Sequence, residues 1–394
     1  MNEELVVEIK CQQKNHEGER ICGDVFQSLR VKEENRIIIA LADGIGHGVK
    51  ANVMATLTST MALNFAKTHK ENAEIVETIM NTLPEDSEKK LSFSTFTLVD
   101  IQMGSKIDIL EYGNPKSIII RNREIYKPES EETEINSRYA PVNKIRSFAL
   151  NPQKEDRIII VTDGVTQSGL GSSVYPSGFG DDRLCQLVQE IVNQNPLVSA
   201  GSTAIKILGN AYKNDAYICK DDMSCLSIYV REPRKLLIVT GPPFEDESDK
   251  KLAQLVKDFK GKKIICGATT ADILSREFSI PVEERSEFSD KELPPTSHMD
   301  GFDMVTEGIL TLSKVARILR DFKINYPLGK GPADQIVKHF IKSDEIHFIT
   351  GTRINPAHQG PDLPVELEIR RTVVSRIARL LEEKLLKKVV VHFI

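Results

Sequence analysis

Five aspartates in this 394-residue chain stand where a carboxylate could be held rigidly at the end of a strand: Asp24, Asp43, Asp163, Asp221 and Asp222. Asp43 follows the apolar run Ile37-Ile38-Ile39-Ala40-Leu41-Ala42 and precedes Gly44-Ile45-Gly46-His47-Gly48. The run reads as a buried strand. The glycines permit a sharp turn and bring main-chain carbonyls close to a ligand. The device recurs at Ile158-Ile159-Ile160-Val161-Thr162-Asp163-Gly164, while Gly23-Asp24 opens the strand Val25-Phe26 and Asp221-Asp222 precedes the strand Met223–Val230. Asp-Gly is also an ordinary turn dipeptide, so any one of these acids alone is a turn residue as readily as a ligand. It is the recurrence that argues for chemistry. Carboxylates at strand ends, with few histidines and no paired cysteines nearby, suit hard cations such as Mg²⁺ or Mn²⁺.

The elements that must position these acids follow from periodicity and turn residues. Strands are expected at Leu5–Ile9, Val25–Val31, Arg36–Ala42, Phe93–Asp100, Lys106–Tyr112, Ser117–Arg121, Ile145–Leu150 and Arg157–Val161. From Val49 the pattern turns helical, with Val53, Leu57, Met61 and Phe65 every four residues. A second helix, Asn72–Leu83, is stopped by Pro84, and two more are expected at Leu184–Val192 and Ser199–Tyr212. Pro128–Asn136 is acidic and reads as a solvated loop, and Gly169–Gly180 as a flexible loop beside Asp163. Many strands joined by short turns, with helix pairs, imply an α+β fold, two sheets face to face with helices outside.

Arg231-Glu232-Pro233-Arg234 is a polar, proline-marked boundary. Beyond it strands (Leu236–Val239, Lys263–Cys266, Ile346–Ile349, Val389–Phe393) alternate with helices (Ser248–Phe259, Thr269–Phe278, Asp303–Phe322, Ala333–Ile341). A long amphipathic helix carries Ile369, Val373, Ile377, Leu381 and Leu385. This alternation predicts a C-terminal α/β domain with a largely parallel sheet over residues 233–394, after a first domain over 1–232. Gly267-Ala268-Thr269-Thr270 opens a helix that either caps itself through Thr269 or holds an anion on its free N–H groups.

In this order and spacing, Gly23-Asp24, Ala42-Asp43-Gly44-Ile45-Gly46-His47-Gly48, Thr162-Asp163-Gly164 and Asp221-Asp222-Met223-Ser224 resemble the metal-dependent protein phosphatases. This is the protein phosphatase 2C-like family, and the branch resembled is the bacterial stage II sporulation protein E type, over about residues 1–232. The resemblance implies hydrolysis of phosphoserine or phosphothreonine on a regulatory protein, by a hydroxide bridging two divalent metals, Mn²⁺ or Mg²⁺. It implies that Asp43 bridges the metals, that the Gly44 carbonyl adds an oxygen, that Asp163 and Asp221 hold one metal, that Asp24 contacts the other side, and that Asp222 supports the set. Where the sporulation-type enzymes carry an Asn-Ala-Gly-His-Pro-like stretch, this chain has Glu111-Tyr112-Gly113-Asn114-Pro115. Eukaryotic relatives place a histidine directly after Asp-Gly, where this chain has Ile45. His47, two residues on, either protonates the leaving group or packs at the helix start. Arg20, ahead of Asp24, either meets a phosphate or is a solvated turn residue. The alternative for the whole domain is a non-catalytic scaffold that binds a phosphoprotein.

Composition bounds the rest. With 40% hydrophobic and 28% charged residues the chain reads as a soluble globular protein of two or three domains. A net charge of −5 offers no basic field for nucleic acid. Six scattered cysteines without a C-x-x-C pair read as reduced thiols, and Met-Asn-Glu-Glu-Leu lacks a signal-like start, so a cytoplasmic location is expected. No apolar run approaches the ~18 residues of a membrane span. The second domain is expected to regulate or recognise, with a small-molecule or anion effector as a candidate partner.

Overall fold

The computed structural model describes residues 5–83, 94–136, 144–283, 290, 292–323, 326–353 and 365–394. Pro84 and Phe93, expected to end a helix and open a strand, lie outside the described residues, as does the side chain of Ile369. The chain divides into two compact units, Met1–Glu232 and Pro233–Ile394.

The first unit runs β1 (Val6–Lys14), β2 (Asp24–Val31), β3 (Arg36–Gly44), α1 (Gly48–Lys67), α2 (Asn72–Thr82), β4 (Ser94–Gln102), β5 (Lys106–Tyr112), β6 (Ile118–Arg121), β7 (Glu124–Tyr126) and β8 (Glu131–Glu134). It continues with β9 (Lys144–Leu150), β10 (Arg157–Val161), α3 (Asp163–Thr166), α4 (Asp181–Gln194), α5 (Ala200–Asn214) and β11 (Met223–Arg231). The strands form two antiparallel sheets, β2-β3-β4-β5-β9-β8 and β1-β11-β10-β6-β7. Side chains alternate across a strand, and this explains the unbroken apolar run of β3. Ile39 and Leu41 join Ile158, Ile160, Leu226 and Ile228 in the core between the sheets. Ile38, Ala40 and Ala42 face the other way, against Ala55 and Ala62 of α1 and Ile75 and Ile79 of α2. Ile159 and Val161 of β10 pack against Leu184 and Val188 of α4 and Ile207 of α5. The unit is therefore the expected α+β arrangement of helices, two sheets and helices.

Two expectations for this unit are corrected. Of the α1 stripe Val53, Leu57, Met61 and Phe65, only the second half meets the core: Met61 and Phe65 pack against it, while Val53 and Leu57 are 50% and 41% exposed. The buried face is made of small residues at first, with Ala51, Ala55, Thr58, Ser59 and Ala62, and continues with Leu63 and Ala66. Small side chains let the helix lie close on β3, closer than a leucine face allows: a Cβ on Gly44 would stand 2.0 Å from the Ala51 carbonyl oxygen. Pro128–Asn136 is not wholly a loop, because β8 lies within it and pairs with β9. All four β8 residues are exposed, and their charges suit a sheet edge that should not recruit another strand.

The second unit runs β12 (Lys235–Thr240), α6 (Asp249–Asp258), β13 (Lys262–Cys266), α7 (Ala268–Phe278), β14 (Met304–Thr306), α8 (Ile309–Asp321), α9 (Pro332–Lys342), β15 (Glu345–Thr350), α10 (Val365–Leu385) and β16 (Lys388–Phe393). Its sheet has the order β14-β13-β12-β15-β16, and every pair is parallel. Leu236 and Ile238 enter one core with α8, α9 and α10, while Leu237 and Val239 enter the other with α6 and α7. The helix expected over Asp303–Phe322 is instead a short buried strand followed by α8. Gly308 separates them, and β-branched Val305 and Thr306 favour the strand.

Candidate metal centre

The five acids arrive at one end of the first unit from both sheets. Asp24, the first residue of β2, is the register partner of Asp43 near the end of β3. Asp163 follows β10 as the first residue of α3, and Asp221-Asp222 precede β11, the antiparallel neighbour of β10. The glycines beside these acids are required by close approach. At Gly164 a Cβ would stand 2.1 Å from the Asp222 carbonyl oxygen, as at Gly44 it would strike Ala51. No side chain fits at either position, which keeps the strand ends and α1 pressed together.

Asp24 is the best anchored of the set. It is 2% exposed, and its Oδ2 accepts from Thr162 Oγ1 at 2.8 Å and Ser224 Oγ at 2.6 Å. Ser224 N–H donates to Thr162 Oγ1, and Gln13 Nε2 donates to Ser224 Oγ and to the Asp24 carbonyl. A carboxylate of one sheet is thus clasped by hydroxyls of the other. Asp222 is buried and accepts from the His16 N–H at 3.0 Å. Asp221 is half-buried, and its Oδ1 accepts from the Asp222 N–H. Gln167 Nε2 donates to Asp163 Oδ2 at 2.8 Å, and Ser94 Oγ to the Asp43 carbonyl at 2.6 Å. Asn114, from the segment that departs from the family pattern, accepts from Thr95 Oγ1 and donates toward Leu41 O, so it ties β3 to β4.

Burial, followed by the charge of Asp24, Asp163 and Asp221, pushes the Asp43 carboxyl well above the usual range, and Asp163 stands within hydrogen-bond reach of it. Burial raises Asp24 to about 7, against the lowering pull of Ser224 and Thr162. Burial and the charge of Asp163 raise Asp221 to about 6. No lysine or arginine is among the principal influences on these three groups, though His16 lowers Asp221. Asp24 Oδ1 and Asp222 Oδ2 are buried without a hydrogen-bond partner. Among the described residues no three acids, histidines or cysteines form a closed ligand set. The acids are therefore gathered as uncompensated charge rather than as a preformed coordination shell. An all-oxygen donor set with orphaned carboxylate oxygens fits a hard divalent cation.

The two expected substrate contacts lie differently. Arg20 is exposed. His47 is the residue before α1, its Nδ1 2.8 Å from Glu19 Oε1 and its ring stacked on His16 at 4.1 Å. Thr162, Ser224, Gln13, His16 and Gln167 support the acids and have no role in the sequence reading. The one signal was a polar residue closing an apolar run, as Thr162 does after Ile160-Val161.

The family model of stage II sporulation protein E matches residues 33–231. That span holds Asp43, Asp163, Asp221 and Asp222, and leaves Asp24, Arg20 and His16 before it. No curated protein matches the chain. Among solved structures, the chain is similar to the phosphatase domain of the cell fate determinant SpoIIE from Bacillus subtilis, at 15% identity and a TM-score of 0.43, covering 59% of this chain and 95% of that one. It is similar to the RsbU and RsbW domains of a Mycobacterium tuberculosis protein, at 15% identity and a TM-score of 0.45, covering 64% and 67%. It is also similar to RsbX in complex with magnesium, at 19% identity and a TM-score of 0.40, covering 57% and 95%.

Proposed function

This chain belongs to the stage II sporulation protein E family, and from that premise we propose that it removes phosphate from phosphoserine or phosphothreonine on a regulatory protein, with two divalent ions, Mn²⁺ or Mg²⁺, as cofactors. The observation that carries the reading is the convergence of five carboxylates from two sheets, with the burial and mutual charge of Asp24, Asp43 and Asp221 raising their carboxyls. Asp43, Asp163 and Asp221, with the Gly44 carbonyl, are the residues to hold the ions, Asp24 and Asp222 completing the set. When bound, divalent ions screen a phosphate monoester and acidify a water toward neutrality.

The chain's own residues do the positioning. Thr162 and Ser224 fix the face Asp24 presents. Gln167 occupies one oxygen of Asp163 and so aims the other. The His16 N–H does the same for Asp222. The stacked pair His16 and His47 stands beside Asp222 and Glu19, and its imidazoles are the polar groups there that would meet a phosphoprotein. Residues 233–394 regulate rather than perform the reaction, and an anion or small molecule is their effector. The location that suits such a protein is the cytoplasm; no helix among the described residues is long and apolar enough to cross a membrane.

The test is hydrolysis of p-nitrophenyl phosphate by the full chain with and without Mn²⁺ or Mg²⁺. Turnover that appears with metal and vanishes in EDTA is expected. Absence of turnover at every metal concentration would overturn the enzyme in favour of a phosphoprotein-binding scaffold.

A further inference from the structure

The second unit has a cavity of about 480 Å³ at the carboxyl ends of β12, β13 and β14. The order of its parallel sheet reverses beside β12, whose neighbours are β13 on one side and β15 on the other. The crevice of that reversal lies between β12 and β15; the cavity sits to its β13 side, still at the carboxyl ends of the strands, where open α/β sheets hold their ligands. Gly241, Gly267 and Gly308 follow the three strands and line the cavity, so main chain rather than side chain meets whatever enters.

α7 starts at this cavity. Its N-cap is Gly267, with no side-chain capping bond, and Thr269, the cap in one of the two sequence readings, lies inside the first turn. The helix offers no carbonyl to the N–H groups of Ala268 and Thr270. α8 starts there too, but Glu307 Oε2 already accepts from the N–H groups of Leu310 and Thr311, each at 3.1 Å. A second, independent feature marks α7. Thr270 is 1% exposed, lines the cavity, and its Oγ1 has no hydrogen-bond partner. That oxygen lies 3.4 Å from where a Cβ on Gly267 would be, facing the bare glycine. A buried hydroxyl without a partner is costly, and a ligand oxygen at the start of α7 supplies the partner. Arg370 of α10 brings positive charge. Its guanidinium lies over Gly241, with Nη1 2.6 Å from the place of a Cβ, and is steadied by the Gly351 and Arg353 carbonyls at 3.4 Å.

We propose that the second unit binds a small phosphate-bearing molecule in this cavity, its phosphate held by the first turn of α7, the Thr270 hydroxyl and Arg370. Backbone N–H groups, a helix dipole and a planar guanidinium are the donors that phosphate oxygens select. Glu307 disfavours an anion at α8, which places the phosphate at α7. The volume falls within the roughly 300–1,000 Å³ of small-molecule sites, well above a lone phosphate. The organic part of the ligand then lies toward Ile309 and Leu310, which also line the cavity. This deepens the effector named above and uses no residue of the acidic cluster.

The full chain, held in EDTA so that the acidic cluster has no metal to bind phosphate through, is titrated calorimetrically with AMP and with inorganic phosphate. Saturable binding of either probe is expected, weakening as salt rises. Arg370→Gln should weaken it about tenfold or more through loss of a charge-assisted contact. Thr270→Val keeps the side-chain shape, removes only the orphan hydroxyl, and should weaken binding about fivefold with circular dichroism unchanged. No saturable heat from either probe at millimolar concentration, or binding in Thr270→Val and Arg370→Gln equal to the parent's, would overturn the site. Hydrolysis of p-nitrophenyl phosphate with Mn²⁺ is scored separately, so the enzyme and the binding site stand or fall independently.

Discussion

Asp43 gives up its hydration on folding and meets the charges of Asp24, Asp163 and Asp221 in its place. Asp43→Asn keeps the shape and removes one of the repelling charges. Activity on p-nitrophenyl phosphate should fall by more than about a hundredfold, since even outer partners of a metal site are worth roughly 10–100-fold. The melting temperature in EDTA should equal or exceed the parent's. Near-parent turnover at saturating Mn²⁺ would remove Asp43 from the metal assignment. Asp221 and Asp222 make a second comparison. Asp221→Ala should raise the Mn²⁺ needed for half-maximal activity more than Asp222→Ala does, while Asp222→Ala, which strips the His16 N–H of its acceptor, should cost more stability. A Mn²⁺ titration and a urea melt of both variants check the two halves, and the reverse order in the titration swaps their roles. Asp43 and Asp163 were legible because Asp-Gly after an apolar run is a local pattern, and Asp24, Asp221 and Asp222 because each stands just ahead of a strand. Thr162 and Ser224 were not, because they reach Asp24 across 138 and 200 residues of chain and from the other sheet.

At the scale of elements, most of the fold was legible in period and turn residues. β3 and β10 are unbroken apolar runs because both of their faces are covered. The misreadings share a cause: tertiary contact outweighed local pattern. The α1 stripe of Val53, Leu57, Met61 and Phe65 reaches the core only at Met61 and Phe65; near Gly44 the helix buries alanines instead, because close approach rewards small side chains. β8 has three glutamates in four residues and becomes a strand only because β9 offers an edge. β14 is only three residues long, and Glu307-Gly308 alone part it from α8. The corrected face of α1 makes a prediction. Ala55→Leu should cost about 1–3 kcal/mol by overpacking, whereas Val53→Ser should stay within about 0.5 kcal/mol. Urea denaturation of both decides it, and equal effects would return α1 to the face first expected. Because Ala51 fixes Gly44 beside Asp43, Ala55→Leu should also weaken Mn²⁺ activation, which Val53→Ser should not.

At the scale of the molecule, each unit closes its own hydrophobic cores, three in the first and two in the second. Residues 1–232 should therefore fold alone and hydrolyse p-nitrophenyl phosphate, with the second unit altering turnover or Mn²⁺ affinity. Comparison of that fragment with the full chain checks this, and a folded fragment without activity at any Mn²⁺ concentration would show that residues 233–394 complete the site. Within the first unit the opening and closing strands are partners. β1 pairs with β11 over its whole length, from Val6 with Arg231 to Lys14 with Met223. The ribosome, adding roughly 5–20 residues per second, must deliver β11 before β1 has a neighbour. Asp221, Asp222 and the Ser224 that steadies Asp24 arrive with that last strand. A nascent chain thus carries Asp24, Asp43 and Asp163 before the residues that would complete the proposed site have been made. On the proposed function, a chain ending before Ser224 should therefore hydrolyse no p-nitrophenyl phosphate at any Mn²⁺ concentration, and the activity would wait on the last strand of its unit.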